Sequence, residues 1–293
     1  MQSARDLEGR TFLVTGASAG IGRATVCALA ARGASVVLAS RSEEKTRAVM
    51  EEIRRLHPAS SQADVEFLPV DLGDLGSVKR AAETFLASSR PLDVLINNAG
   101  LVGATGLSKD GYEIAFATNH LGPFLLTKLL LPKLVEAPQG RVVNVASRAH
   151  FRAKAVDWGQ MSLPVKKIHS FTQYGVTKLM NILHAKELAN RLAETRVTTY
   201  SLHPGVVASE LWREVPWPVA NVMKLFFISN EEGAKTTLYC ATAPELSSSS
   251  GLYYDDCKEG RVSRLARDEC LAREVFERSE DAVRTLLPAA SAA

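Results

Sequence analysis

Cysteine is scarce in this sequence and scattered where it occurs. Cys27, Cys240, Cys257 and Cys270 are the 4 in 293 residues, with no CxxC pair and no metal-ligand spacing. This argues against a disulfide framework and a zinc site, so no metal is expected and reduced thiols in a cytoplasmic setting fit best. An excess of either charge is lacking too: 35 Lys and Arg face 32 Asp and Glu, for a net charge of +3. Neither nucleic acid nor an acidic membrane surface is therefore expected as the main partner. No stretch reaches the roughly 18 consecutive apolar residues of a bilayer span, so no transmembrane segment is expected. The most apolar neighbourhood, PVANVMKLFFIS at 218–229, is broken by Asn221 and Lys224. The first residues, MQSARDLEGR, have no apolar core of the kind a secretory signal needs. Strong linkers and internal repeats are missing as well.

What is present is an alternation. Hydrophobic residues make up 46% and charged residues 23%, the composition of a soluble globular protein. TFLVTG, ASVVLAS, VEFLPVD, LDVLINN, GRVVNVAS, VTTYSLHPG and GLYY read as short buried strands. Between them, 20–32, 43–57, 74–88, 111–136, 172–195 and 231–243 carry helical periodicity. Strand and helix repeated at this spacing predict an α/β fold, a doubly wound parallel sheet of about seven strands with helices on both faces. Residues 1–293 read as a single domain with its core at about 9–255. The stretch 205–230 breaks the rhythm and reads as a lid over the mouth of the sheet, and 256–293 as a C-terminal helical extension and tail.

VTGASAGIGRA follows the first strand and opens the first helix. Gly16, Gly20 and Gly22 permit a tight turn that brings backbone N–H groups, with Ser18 and Ile21, against a pyrophosphate at the helix N-terminus. The glycines sit in the strand–turn–helix context that gives such a pattern meaning. An enzyme of unphosphorylated NAD would place a carboxylate at the end of the second strand, for the ribose 2′-hydroxyl. Here the strand ends in Ser40 and Arg41. A hydroxyl and a guanidinium suit a 2′-phosphate, so NADP(H) is the expected cofactor.

Tyr174 and Lys178 lie four apart and share a helix face. Free tyrosine, with a pKa of about 10, is a poor acid near neutral pH. A neighbouring ammonium favours the phenolate and lowers that value. Ser147 ends a valine-rich strand at the carboxyl edge of the sheet, where a hydroxyl can donate to a substrate carbonyl. It could instead be a hydrolase nucleophile with His150 or His203, but NVASRAH contains no GxSxG elbow. Asn119 precedes Gly122 and Pro123 in a long helical pattern. Proline has no N–H, so a helix running through Pro123 leaves the Asn119 carbonyl free to hold a water.

TGxxxGIG, the NNAG at 97–100, Ser147 and Tyr174-x-x-x-Lys178, in this order, resemble the short-chain dehydrogenases/reductases. The likeness runs from about Gly9 to Tyr254, and NHLGPFLLTKLLLP, RVVNVASRAH and HPGVVASEL are most like the retinol dehydrogenase-like branch. The resemblance implies a Rossmann-type fold and an NADP-dependent alcohol or carbonyl oxidoreductase. It implies that Tyr174 is the acid/base and that Ser147 stabilises the substrate oxygen. Lys178 would lower the tyrosine pKa and bind the nicotinamide ribose, and Asn119 would complete a proton relay. Asp71 and Leu72 match the family's adenine contact, and Asn98, Ala99 and Gly100 the segment beside the adenine-side ribose. Pro204, Gly205, Val207 and Ser209 match the loop near the nicotinamide, with Ser209 in place of the usual threonine. Relatives often pair through the helices containing Asn119 and Tyr174, so a homodimer is possible, although the charged segment 258–285 can alter that surface.

The lid holds Trp212, Trp217, Met223 and Phe226. Pockets of this composition take apolar molecules. The expected substrate is a lipophilic aldehyde or ketone, retinal-like or steroid-like, or the corresponding alcohol. The competing reading is a non-catalytic NADP-binding scaffold or sensor on the same fold, since one fold hosts many functions.

Overall fold

The computed structural model describes residues 5–56, 65–206 and 228–287. All seven apolar runs form strands: β1 (Thr11–Thr15), β2 (Ser35–Ser40), β3 (Val65–Pro69), β4 (Val94–Asn97), β5 (Arg141–Val145), β6 (Thr198–His203) and β7 (Leu252–Asp255). An eighth, β8 (Lys258–Glu259), adds an antiparallel edge to β7. Its two residues are charged and exposed, so it leaves no apolar trace in the sequence. The sheet order is β3-β2-β1-β4-β5-β6-β7-β8, parallel except at that edge. Strands β1 and β5 are buried along their whole length, which is why they read as continuous apolar runs rather than alternating ones.

Successive strand side chains point to opposite faces. Leu13, Leu95 and Val142 join one core with Phe85, Phe124 and Leu179. Phe12, Val14 and Val143 join the other with Val26, Ile53 and Cys240. The helices supplying these layers include α1 (Gly20–Ala31), α2 (Glu43–Leu56) and α3 (Leu75–Ala87). Next come α4 (Ile114–Phe116), a π turn (Ala117–Leu121) and α5 (Gly122–Glu136) as one continuous run, then α6 (Ser170–Arg191) and α7 (Asn230–Thr242). Strand order reverses between β1 and β4, which opens a crevice at their carboxyl ends.

The run Ile114–Glu136 modifies one expectation. Its 23 residues are long and apolar enough, by length and composition, to cross a membrane. Yet 78% of its apolar window is buried inside the protein, and Phe116, Leu121, Phe124 and Leu126 belong to the core. Core packing accounts for its apolarity.

After β8 come α8 (Arg264–Arg267) and α9 (Glu269–Val283). On α9 the buried Phe276 ring meets Phe124 edge-on at 5.0 Å, with the Arg191 guanidinium 4.1 Å above it. Lys128 pairs with Glu280 at 2.6 Å. The extension therefore covers part of α5 and α6.

Candidate active site

The crevice between β1 and β4 is a cavity of about 360 Å³. It runs from Arg41 and Ser42 at one end, past Gly16, Gly20 and Gly22, to Tyr174, Lys178 and Pro204 at the other. Gly16 (φ 68°) and Gly20 (φ 56°) have left-handed backbones that a side chain would strain. At Gly22 an added Cβ would lie 2.2 Å from the Gly16 carbonyl oxygen and 2.6 Å from Asn98 Nδ2. The turn is thus closed to side chains and open to a ligand's backbone contacts. Ala19 gives α1 no side-chain cap, whereas Asp74 caps α3 and Asp268 caps α9. The N–H groups at the start of α1 and their positive dipole end are left for an anion, as a dinucleotide pyrophosphate requires.

The glycine turn is locked to the strand beside it. Thr15 Oγ1 accepts the N–H groups of Asn98 and Ala99, each at 3.0 Å, and Asn98 Nδ2 donates to the Thr15 carbonyl at 2.8 Å. This places Asn98, Ala99 and Gly100 on the cavity wall with Asp71 and Leu72. Ser18 and Ile21 line it too.

At the far end of β2 the structure divides the roles expected of Ser40 and Arg41. Ser40 borders the cavity, but its hydroxyl turns inward to Thr46 Oγ1 at 2.6 Å, and Thr46 in turn donates to the Ser42 carbonyl at 2.7 Å. The inward bond forms because α2 begins three residues later and brings Thr46 back over the strand end. Arg41 is exposed at the cavity edge. Lys45, one turn into α2, is a second cation there that the sequence reading passed over. In the sequence it is one charged residue among several at a helix start. Neither cation has an ion-pair partner among the described residues.

Tyr174 and Lys178 line the opposite end, and Ser147 lies next to Tyr174. Ser147 caps a short 3₁₀ turn, Arg148–Arg152, by accepting the Ala149 N–H at 3.1 Å. Its own proton is left for a neighbour, and the hydroxyl is near enough to Tyr174 to pull that group's pKa down. A glycine permits this approach: a Cβ on Gly175 would stand 2.7 Å from the Ala149 carbonyl oxygen. Gly175→Ala is therefore expected to push α6 off the 3₁₀ turn, and turnover should fall about tenfold through misplacement of Tyr174. Steady-state kinetics at saturating cofactor checks this, and unchanged turnover would show the contact to be slack.

Lys178 is buried, and its Nζ donates to the Val145 carbonyl at 2.7 Å. It sits 5.5 Å from the centre of the Tyr174 ring. The sequence argument had the ammonium bring the tyrosine pKa down, but burial dominates at both groups. Desolvation pushes the Tyr174 hydroxyl up to about 12, against a smaller opposite pull from the Ser147 bond. Desolvation also pushes Lys178 down to about 8. Tyr174 is thus a proton donor throughout the neutral range.

Asn119 lies in the π turn, where the Gly122 N–H reaches back five residues to the Ala117 carbonyl. A helix passing Pro123 tolerates the missing N–H by widening in this way. The Asn119 side chain is fully engaged. Its Oδ1 accepts the Leu101 N–H at 2.8 Å, and its Nδ2 donates to the Leu101 carbonyl at 2.9 Å and to Thr177 Oγ1 at 3.1 Å. It ties the loop after β4 to α6, so any part in proton movement falls to its main-chain carbonyl.

Neither histidine serves Ser147 as a base. His150 Nδ1 meets the Ser147 carbonyl oxygen, and His203 Nδ1 meets the Arg148 N–H. Pro204 lines the cavity, and Gly205 (φ 88°) turns the chain away from β6. Val207, Ser209, Trp212, Trp217, Met223 and Phe226 lie outside the described residues.

Comparison with known proteins agrees with this geometry. The family model described as short chain dehydrogenase matches residues 10–217. The chain is 41% identical over 281 residues to human dehydrogenase/reductase SDR family member 13, covering 94% of this chain and 73% of that one. It is 40% identical over 276 residues to retinol dehydrogenase 12 of Mus musculus, covering 92% and 85%. A crystal structure of an uncharacterized Mycobacterium paratuberculosis protein superposes with a TM-score of 0.75 at 30% identity, over 99% of this chain and 100% of the other.

Proposed function

The chain belongs to the short-chain dehydrogenase family of oxidoreductases, and on that premise we propose that it is an NADP(H)-dependent enzyme interconverting a hydrophobic aldehyde or ketone and its alcohol. The observation that carries the reading is Tyr174 and Lys178 at one end of a cleft, with Ser147 next to Tyr174, while the other end presents Arg41 and Lys45. Gly16, Gly20, Gly22 and the α1 N-terminus would hold the pyrophosphate, Arg41 the 2′-phosphate and Lys178 the nicotinamide ribose. When bound, the nicotinamide supplies or accepts the hydride.

Tyr174 donates its proton to the carbonyl oxygen, beside which the Ser147 hydroxyl places a second hydrogen bond. As the tyrosine releases its proton, the Lys178 ammonium stabilises the phenolate charge. The substrate class is supported by the tryptophans, methionine and phenylalanines in the sequence of the 205–230 segment. The name of the mouse relative, a dehydrogenase of retinol, supports it too. Cytoplasmic residence and a single domain belong to the same reading.

The test is NADPH oxidation with a panel of hydrophobic aldehydes and ketones. Turnover with apolar members is expected. NADPH binding with no turnover across the panel would favour the non-catalytic scaffold instead.

A pH dependence follows from burial. In the reductive direction Tyr174 must carry its proton and Lys178 its charge. Because Lys178 is pushed down to about 8 and Tyr174 up to about 12, the first group lost on raising the pH is the ammonium. Reductive kcat/KM is expected to be level below that point and to fall above it by about tenfold per unit. A pH–rate profile checks this; a level profile to much higher pH would remove Lys178 charge from the account.

A further inference from the structure

His150 is fully buried one turn beyond Ser147, and each ring nitrogen has a single backbone partner. Nδ1 lies 2.7 Å from the Ser147 carbonyl oxygen. A carbonyl only accepts, so Nδ1 carries the hydrogen. Nε2 lies 3.2 Å from the Ser263 main-chain nitrogen. That N–H only donates, so Nε2 presents its lone pair. The two partners together fix one neutral tautomer and leave the ring no capacity to take a proton from Ser147. Burial also holds this imidazole below the ordinary histidine range.

The bond spans distant parts of the chain. Ser147, the proposed donor to the substrate oxygen, follows β5 and caps the 3₁₀ turn after it. Ser263 lies beyond β8, and its hydroxyl caps α8 at the Ala266 N–H. Tyr253 of β7 packs edge-on to the ring at 5.3 Å. Without the imidazole, the Ser147 carbonyl retains only the turn bond from the His150 N–H, at 3.1 Å.

We propose that His150 is a positioning residue for the reaction: its imidazole bridges the Ser147 carbonyl to the C-terminal extension and so sets where the Ser147 hydroxyl stands relative to Tyr174. The proposal rests on the reading of Ser147 as the group beside the substrate oxygen. It assigns the extension a part in catalysis although none of its described residues lines the cavity.

Isosteres separate the two bonds. His150→Asn keeps an N–H donor where Nδ1 stands and loses the contact with Ser263. His150→Gln keeps an acceptor near Nε2 and loses the donor to Ser147. His150→Asn is expected to retain most of the kcat, while His150→Gln and His150→Leu lose about tenfold or more. NADPH affinity, read by fluorescence titration, should be unchanged in all three. Equal kcat for Gln and wild type, or an Asn variant as impaired as Leu, would overturn the proposal. Ser147→Ala is measured alongside. If it turns over like wild type, the reading of Ser147 fails and the proposal falls with it. If Ser147→Ala is impaired and His150→Gln is not, only the proposal falls. Should the variants not fold, ¹⁵N-histidine NMR of the wild-type protein decides. A His150 signal fixed in the Nδ1–H form from about pH 5 to about pH 9 is expected, and a titrating ring or an Nε2–H form would overturn the proposal.

Discussion

Tyr174→Phe is expected to lower reductive kcat by about a thousandfold while NADPH affinity stays at the wild-type level. The substitution removes one oxygen and one proton. The ring keeps its place against Phe171, 5.9 Å away, and under the Lys178 ammonium. The proposed phosphate contacts are at the glycine turn and Arg41, at the other end of the cleft, so binding would have no reason to weaken. The chemical step loses the proposed proton donor beside Ser147. Water can replace it only poorly, because Lys178 and the surrounding strand ends are buried. The size of the loss distinguishes this account from one in which Tyr174 merely packs. A packing role predicts an almost silent phenylalanine, since the ring is retained. Steady-state rates and a fluorescence titration of NADPH, on the same preparations, separate the two.

Arg41→Ala is expected to reduce kcat/KM for NADPH by roughly 10- to 100-fold and to leave NADH almost unaffected. A charge-assisted hydrogen bond is worth about 1.5–3 kcal/mol, which converts to that range. The lower part is favoured because Arg41 is exposed and its field is screened. The structure makes this residue matter more than the sequence alone suggested, since the Ser40 hydroxyl is spent on Thr46. Lys45 stands beside it without an acidic partner among the described residues, so Arg41→Ala/Lys45→Ala should go further than either change alone. The NADPH preference should also shrink with added salt. Equal kcat/KM for the two cofactors in the wild type would sink the 2′-phosphate argument.

The parts legible in the sequence were those that short-range chemistry dictates. β1, β4 and β5 are buried on both faces and cannot be other than apolar runs. The glycine turn must be glycine because backbone atoms occupy the space around Gly16 and Gly22. Tyr174 and Lys178 sit on one face because helices repeat every 3.6 residues or so. What stayed hidden depends on distant packing. β8 has two charged residues and no pattern of its own. The direction of the Ser40 hydroxyl is set by Thr46, which arrives only once α2 has formed. Spacing said that Lys178 neighbours Tyr174, but not that burial would outweigh it and raise the tyrosine pKa. His150, legible only as a histidine near a serine, takes its meaning from Ser263, 113 residues later. The apolar run at 114–136 is explained by its place in the core.

The most direct test follows the hydride itself. NADPH carrying deuterium at both C4 positions of the nicotinamide is incubated with the protein and a hydrophobic aldehyde, and the alcohol is examined by mass spectrometry and NMR. The account predicts one deuterium on the former carbonyl carbon, at a rate that collapses in Tyr174→Phe. Consumption of NADPH with no deuterium in the alcohol, or a Tyr174→Phe enzyme as fast as wild type, would contradict it.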